Sequence, residues 1–114
     1  MAVAVGRTVL SRGDVYLIQL DPTRGSEIRK TRPCLIVSPD ELNEHLSTVI
    51  IAPMTMSGRP YPWRVSCRFQ GRSGFIVTDQ LRTVDVERLL TRLGRLAPNA
   101  LAAVLSVLEE MFAP

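Results

Sequence analysis

The stretch RGDVYLIQLDPTRGSEIRKTRPCLIVS, Arg12 to Ser38, decides the fold. Within it Val15, Leu17 and Gln19 alternate with Tyr16, Ile18 and Leu20, the period of a β-strand with two distinct faces. Leu35-Ile36-Val37 is a short β-branched run bounded by Pro33 and Pro39 and reads as a second strand. Between them Asp21-Pro22-Thr23 is turn chemistry, and Gly25 supplies the backbone freedom of a tight connection. A long antiparallel hairpin follows. Its loop carries Glu27, Arg29, Lys30 and Arg32, a carboxylate set among cationic groups, and such a loop held by strand ends suits a phosphate ligand.

Downstream, Ser38-Pro39-Asp40-Glu41 reads as a capping box with proline at the first helical position, opening a short helix through Leu42 and His45. Thr48 to Pro53 is a continuous apolar run, as expected of a strand buried on both faces, and it leaves Thr55 at a strand end. From Tyr61 to Phe69, alternation assigns Trp63, Val65, Cys67 and Phe69 to the core and Arg64, Ser66 and Arg68 to solvent. Gly71 to Gly74 reads as a turn, Phe75 to Thr78 as a strand, and Asp79-Gln80-Leu81-Arg82 as its continuation. Asp85 is placed to cap a helical turn through Leu89, and Leu93 to Leu96 suits a last short strand. Pro98 opens a terminal helix whose Leu101, Val104, Leu105, Leu108, Met111 and Phe112 form one apolar stripe, for core and subunit contact. These elements make an α+β domain with a strongly curled sheet.

At 114 residues the chain has room for one domain, 1–114, with 1–11 as a flexible N-terminal arm. The net charge is +3, and every basic residue except Lys30 is arginine, the side chain that grips phosphate bidentately and stacks on bases. Cys34 and Cys67 lie far apart in apolar strand patterns, and His45 is the single histidine. Neither a disulfide framework nor a metal-ligand spacing is present, so reduced core cysteines, no metal and no other cofactor are expected. No apolar run reaches membrane-spanning length, and MAVAVGRTVLSRG lacks the form of a secretory signal; a cytoplasmic protein without membrane contact is expected.

The order of phrases resembles the MazF/PemK family of toxin-antitoxin ribonucleases. RGDVYLIQLDPTRGSE is followed by RP with an apolar strand and SPDELN, then TVIIAPMT, YPWRV, DQLRTVD, a short strand and a C-terminal helix, over roughly residues 12–112. Between Glu27 and Arg32 the chain departs from many members, with Ile28, Arg29, Lys30 and Thr31 in place of a glutamine followed by small residues. The resemblance implies an SH3-like, CcdB/MazF-like antiparallel barrel, usually a homodimer, with a cognate antitoxin as partner. It also implies metal-independent cleavage of single-stranded RNA (mRNA): the ribose 2'-hydroxyl attacks the adjacent phosphorus, leaving 2',3'-cyclic phosphate and 5'-hydroxyl ends.

On that resemblance Arg32, the arginine of the RP pair, stabilises charge on phosphorus, Glu27 is the candidate base, and Thr55 donates a hydrogen bond. The alternative for Glu27 is an ion pair with Arg29 or Arg32 that orders the loop. Gln80, Asp79, Arg82, Arg64, Arg29 and Lys30 are candidates for holding the RNA, with Asp79 either structural or substrate-orienting. Two other readings stand beside this one. A CcdB-like topoisomerase poison relies on its extreme C-terminus, where Glu110-Met111-Phe112-Ala113-Pro114 lends no support. The other is a catalytically inactive module that keeps the fold and binds RNA or antitoxin.

Overall fold

The computed structural model describes residues 4–5 and 8–114, with side chains from Val9 onward. The strands are β1 Ala4–Val5, β2 Thr8–Val9, β3 Asp14–Gln19, β4 Thr31–Ile36, β5 Thr48–Thr55, β6 Arg64–Phe69, β7 Arg72–Val77, β8 Arg82–Asp85 and β9 Leu89–Arg95. The α-helices are α1, Asp40–His45, and α2, Pro98–Phe112. β1 pairs with β2, and the other strands form a seven-stranded sheet in the order β6-β7-β5-β4-β3-β9, with β8 also on β5. The hairpin read from Arg12 to Ser38 is present: β3 and β4 pair antiparallel from Val15↔Leu35 to Gln19↔Thr31. Its loop turns at Gly25 (φ 53°) and re-enters the sheet through Lys30 (φ 70°), a left-handed conformation uncommon for a lysine.

β5 organises the sheet. One edge takes β4 through Cys34↔Pro53, Leu35↔Ala52 and Ile36↔Ile51. Along the other edge Thr48 to Ile51 pair with β8, while Met54 and Thr55 pair with β7. One strand feeding two partners on one edge forces the sheet to bend there, and the curl is that of a half-closed SH3-like barrel. Side chains leaving β5 on alternate faces enter two cores. Val49 and Ile51 pack with Tyr16, Ile18, Leu20, Cys34 and Ile36. Ala52 and Met54 pack with Val15, Leu35, Ile76 and Val104, the last from α2. The double-sided apolar run is thereby explained.

Several expectations need correction. Pro39, not Ser38, is the N-cap of α1 and makes no side-chain cap bond. The buried Ser38 hydroxyl instead donates to Asn43 Oδ1 at 2.6 Å and accepts from Ile50 N at 3.1 Å. Trp63 precedes β6 and stays 39% exposed, because pairing with β7 begins only at Arg64↔Val77. The turn after β6 is tighter than expected, at Gln70 (φ 50°) and Gly71 (φ 77°), so Gly74 belongs to β7. Gly74 has a reason to be glycine: a Cβ there would meet Thr55 O at 2.5 Å. Asp79 and Gln80 do not extend β7; Thr78–Gln80 is a 3-10 turn and the chain resumes as β8. On α2, Val104 is buried, but Met111 and Phe112 are 40% and 72% exposed. Of the proposed arm 1–11, residues 1–3 and 6–7 lie outside the described residues, and Leu10, 1% exposed, is fixed in the first core. The expected caps at Asp85 and Pro98 are in place: Asp85 Oδ1 accepts from Glu87 N at 2.9 Å, and Pro98 opens α2.

Candidate active site

Arg32 lies on β4 and Thr55 at the end of β5, each two residues beyond the last ladder pair, Cys34↔Pro53. By strand alternation Arg32, Cys34, Pro53 and Thr55 project on one face of the sheet, at the end where these two strands run out into loops. The Cys34 thiol registers this arrangement. Burial pushes its pKa up to about 12, while the Arg82 and Arg32 guanidiniums oppose the rise, so both cations lie close to the same buried sulfur.

Two clefts lie at these strand ends. One, about 560 Å³, runs between the hairpin loop and the turn after β7, with Glu27, Ile28, Pro53, Asp79, Gln80 and Arg82 among its walls. The other, about 270 Å³, is bordered by Arg32, Thr55, Pro33, Met54 and Phe69, with Gln70, Arg72 and Ser73 at its rim. The residues proposed from sequence therefore fall into two neighbouring groups rather than one. Arg32 and Thr55 share a cleft; Glu27, Asp79, Gln80 and Arg82 share the next.

Each side chain carries prior commitments. Arg32 Nε donates to Arg29 O at 3.1 Å, which orients the guanidinium and leaves its two terminal nitrogens as a fork. Thr55 Oγ1 donates to Ser57 O and accepts from Ser57 N, both at 3.2 Å, a local turn that holds the hydroxyl at the strand end. Glu27 Oε1 accepts from Arg24 N at 2.6 Å. Among the described residues it forms no salt bridge with Arg29 or Arg32, so the loop-ordering ion pair is replaced by a carboxylate-capped turn, with no hydrogen bond to Oε2.

The remaining candidates are more heavily engaged than their sequence positions suggested. Arg64 and Asp79 form a forked salt bridge at 3.2 and 3.3 Å, with the guanidinium also 5.2 Å from the Tyr61 ring centroid. Arg64 is thus a clamp on Asp79. Arg82 Nη1 donates to Leu20 O at 2.7 Å, fixing the end of the first hairpin strand. Gln80 accepts from Ile28 N at 2.7 Å and donates to Ser26 O at 3.2 Å. Arg29 and Lys30 are exposed on the loop. Beside them Asp21 is held below the usual carboxylate range, first by the Lys30 backbone N–H, then by the Thr23 hydroxyl, with both loop cations adding to the effect.

Sequence reasoning missed the apolar floor of the larger cleft, Leu20, Ile28 and Pro53, because each reads as an ordinary core or turn residue. It also missed Arg88, whose Nη1 donates to Gln19 O at 3.1 Å and Asp21 O at 2.7 Å. Tyr61 and Trp63, stacked at 4.9 Å with 4° between planes, were hidden by an alternation that ran on past the true start of β6. His45, on α1, lines neither cleft. Among the described residues there is no group of three or more His, Cys, Asp and Glu side chains that could hold a metal, and no helix long and apolar enough to cross a membrane.

Comparison with known proteins bears on this geometry. Residues 11–112 match the family model described as PemK-like, MazF-like toxin of type II toxin-antitoxin system. The chain is 32% identical over 101 residues to the endoribonuclease toxin MazF of Escherichia coli K12, covering 88% of this chain and 91% of that protein. Its fold superposes on MazF from Deinococcus radiodurans with a TM-score of 0.79 at 26% identity, over 90% of this chain and 94% of that one. A mycobacterial endoribonuclease solved in complex with its cognate antitoxin gives a TM-score of 0.79 at 24% identity, over 93% and 98% of the two chains.

Proposed function

The chain belongs to the PemK-like, MazF-like toxin family of type II toxin-antitoxin systems, and on that premise we propose how its two clefts act on RNA. The protein is the endoribonuclease toxin of such a system, and its regulatory partner is a cognate antitoxin, as in the mycobacterial complex of the same fold. It works in the cytoplasm as a homodimer and cuts single-stranded RNA at a short sequence. Relatives named for an activity are endoribonucleases, so topoisomerase poisoning is not the reading adopted.

The reaction is transesterification within the substrate. The ribose 2'-oxygen bonds to phosphorus as the P–O5' bond breaks, giving a 2',3'-cyclic phosphate and a 5'-hydroxyl. The 2'-proton passes to Glu27 Oε2. The Arg32 fork takes two phosphoryl oxygens, and Thr55 adds a neutral donor by turning its hydroxyl hydrogen from Ser57 O to the phosphate. As the leaving oxygen gains charge, the guanidinium also gives it a hydrogen bond, and its proton comes from water. Arg29 and Lys30, exposed on the hairpin loop that walls the larger cleft, hold phosphates of the strand, while Asp79, clamped by Arg64, lines that cleft and limits where the strand can lie. What supports this reading is Arg32 itself: an arginine whose Nε is tied to the backbone and whose fork is left for a ligand, beside a hydroxyl at the end of the adjacent strand.

The test is direct. Purified protein with excess chelator should cut a single-stranded RNA at one short sequence, leaving 5'-hydroxyl ends and cyclic phosphates. A strict requirement for added divalent metal would refute the mechanism, and absence of any cleavage across varied RNA substrates would favour the inactive binding module.

A further inference from the structure

The 3-10 turn Thr78–Gln80 commits its three consecutive side chains to three different places. The Thr78 hydroxyl donates to Trp63 O. Asp79 holds Arg64 in a forked salt bridge, 3.2 Å at its shorter arm. Gln80 crosses the larger cleft to the hairpin loop, where its amide oxygen accepts from Ile28 N at 2.7 Å and its amide nitrogen donates to Ser26 O at 3.2 Å. The contacts of Thr78 and Asp79 fasten Trp63 and Arg64 at the start of β6; the two bonds of Gln80 fasten the residues on either side of Glu27. One short turn therefore ties the start of β6 to the hairpin loop.

Taking the reaction proposed above as given, we infer that Gln80 is a positioning residue: it holds Glu27 at the cleft by bracketing it through Ser26 and Ile28. Its part is to place that carboxylate rather than to select the cut sequence. A side-chain amide oxygen carries two lone pairs and its nitrogen two N–H groups, and one of each is spent on the hairpin loop across a sequence separation of 52 and 54 residues, which fixes the amide against that loop. The loop has need of such a latch. Glu27 is exposed, and among the described residues its own hydrogen bonds are both to Arg24, Oε1 from Arg24 N and Glu27 N to Arg24 O at 3.0 Å. Ile28 packs its side chain against the first core, but apart from Gln80 no group outside the loop hydrogen-bonds the backbone of Ser26, Glu27 or Ile28 among the described residues.

The experiment combines amide hydrogen exchange with single-turnover cleavage. In the free protein, Gln80→Ala should expose the Ile28 amide to exchange while the amides of β3 and β5 keep their protection. On RNA it should lower kcat by about tenfold or more, consistent with loss of one to two hydrogen bonds, with KM and the preferred cut sequence unchanged. Gln80→Glu keeps the acceptor for Ile28 N and should recover part of the loss. In a double-mutant cycle, Gln80→Ala added to Glu27→Ala should cost little more than Glu27→Ala alone. A changed cut sequence, losses that multiply, or unaltered exchange at Ile28 would each overturn the assignment. Should the parent protein fail to cut any RNA, the ribonuclease reading fails, and the exchange measurement still decides whether the latch exists.

Discussion

Arg32→Ala is the sharpest perturbation of the proposed mechanism. In the parent, the Arg29 carbonyl holds Nε at 3.1 Å and so aims the two terminal nitrogens before any substrate arrives. A donor fixed in this way needs no reorganisation as charge builds on phosphorus, and removing one such group costs on the order of a hundredfold to a thousandfold in kcat, about 2.7–4 kcal/mol. The folded state loses far less. Arg32 is half-buried, its bond to Arg29 O is exposed, and it sits at a strand end outside both cores, so the change in stability should stay within about 1 kcal/mol. Initial rates on a fluorophore-quencher RNA and a thermal melt on the same preparation separate the two effects. Arg32→Lys is the informative companion: it keeps the charge, loses the fork and the tether, and should remain at least roughly tenfold below the parent. An Arg32→Ala protein that melts normally and cuts as fast as the parent would remove the catalytic site from the end of β4.

Three other outcomes follow. Replacing the ribose on the 5' side of the scissile phosphate by 2'-deoxyribose should abolish cleavage but leave binding largely intact in a filter or polarisation assay; cleavage at the same bond would mean that water or a side chain attacks. Gly74→Ala should destabilise by about 1–3 kcal/mol and depress cleavage as well, because its Cβ would lie 2.5 Å from the Thr55 carbonyl oxygen and the backbone there must shift; an unchanged denaturant midpoint with full activity would contradict the geometry. Cys34, raised by burial to about 12, keeps its proton in the folded state where the unfolded chain releases it, so stability is fully present below the unfolded thiol's pKa of about 8.5 and declines as pH rises toward 12. Cys34→Ala should flatten that alkaline decline in the unfolding midpoint, and a decline as steep as the parent's would assign it elsewhere.

The hairpin, the buried run of β5, the cap at Asp85 and the terminal helix were legible because each is written in local periodicity or turn chemistry. Local pattern failed where tertiary bonds decide. Phe75 to Arg82 alternates plausibly as one strand, yet the Thr78 hydroxyl is drawn to Trp63 O and the chain turns. Trp63 continues the alternation of β6, but β7 offers no partner beyond Val77, so the ring is left stacked on Tyr61 in the open. Of the candidate site, Arg32 and Thr55 could be proposed from motif and strand end. The engagements of Gln80 with Ile28, Arg82 with Leu20 and Arg64 with Asp79 could not, since each joins residues 15 to 62 positions apart. Arginine counts in particular overstated the cations free for RNA, because Arg82, Arg88 and Arg64 brace the protein itself.

The placement of β5 also governs when the enzyme comes into being during synthesis. Thr55 ends a strand whose edges are completed by β4, β7 and β8, and Arg32 sits on a strand whose neighbour β3 is itself closed by β9, the last strand made. Pairings of such long sequence separation cannot form until their later partners have emerged. A nascent chain that has passed Arg32 and Thr55 but not yet released Leu89–Arg95 from the ribosome carries the proposed site residues without the complete sheet that aligns them, so the site is assembled only as synthesis ends.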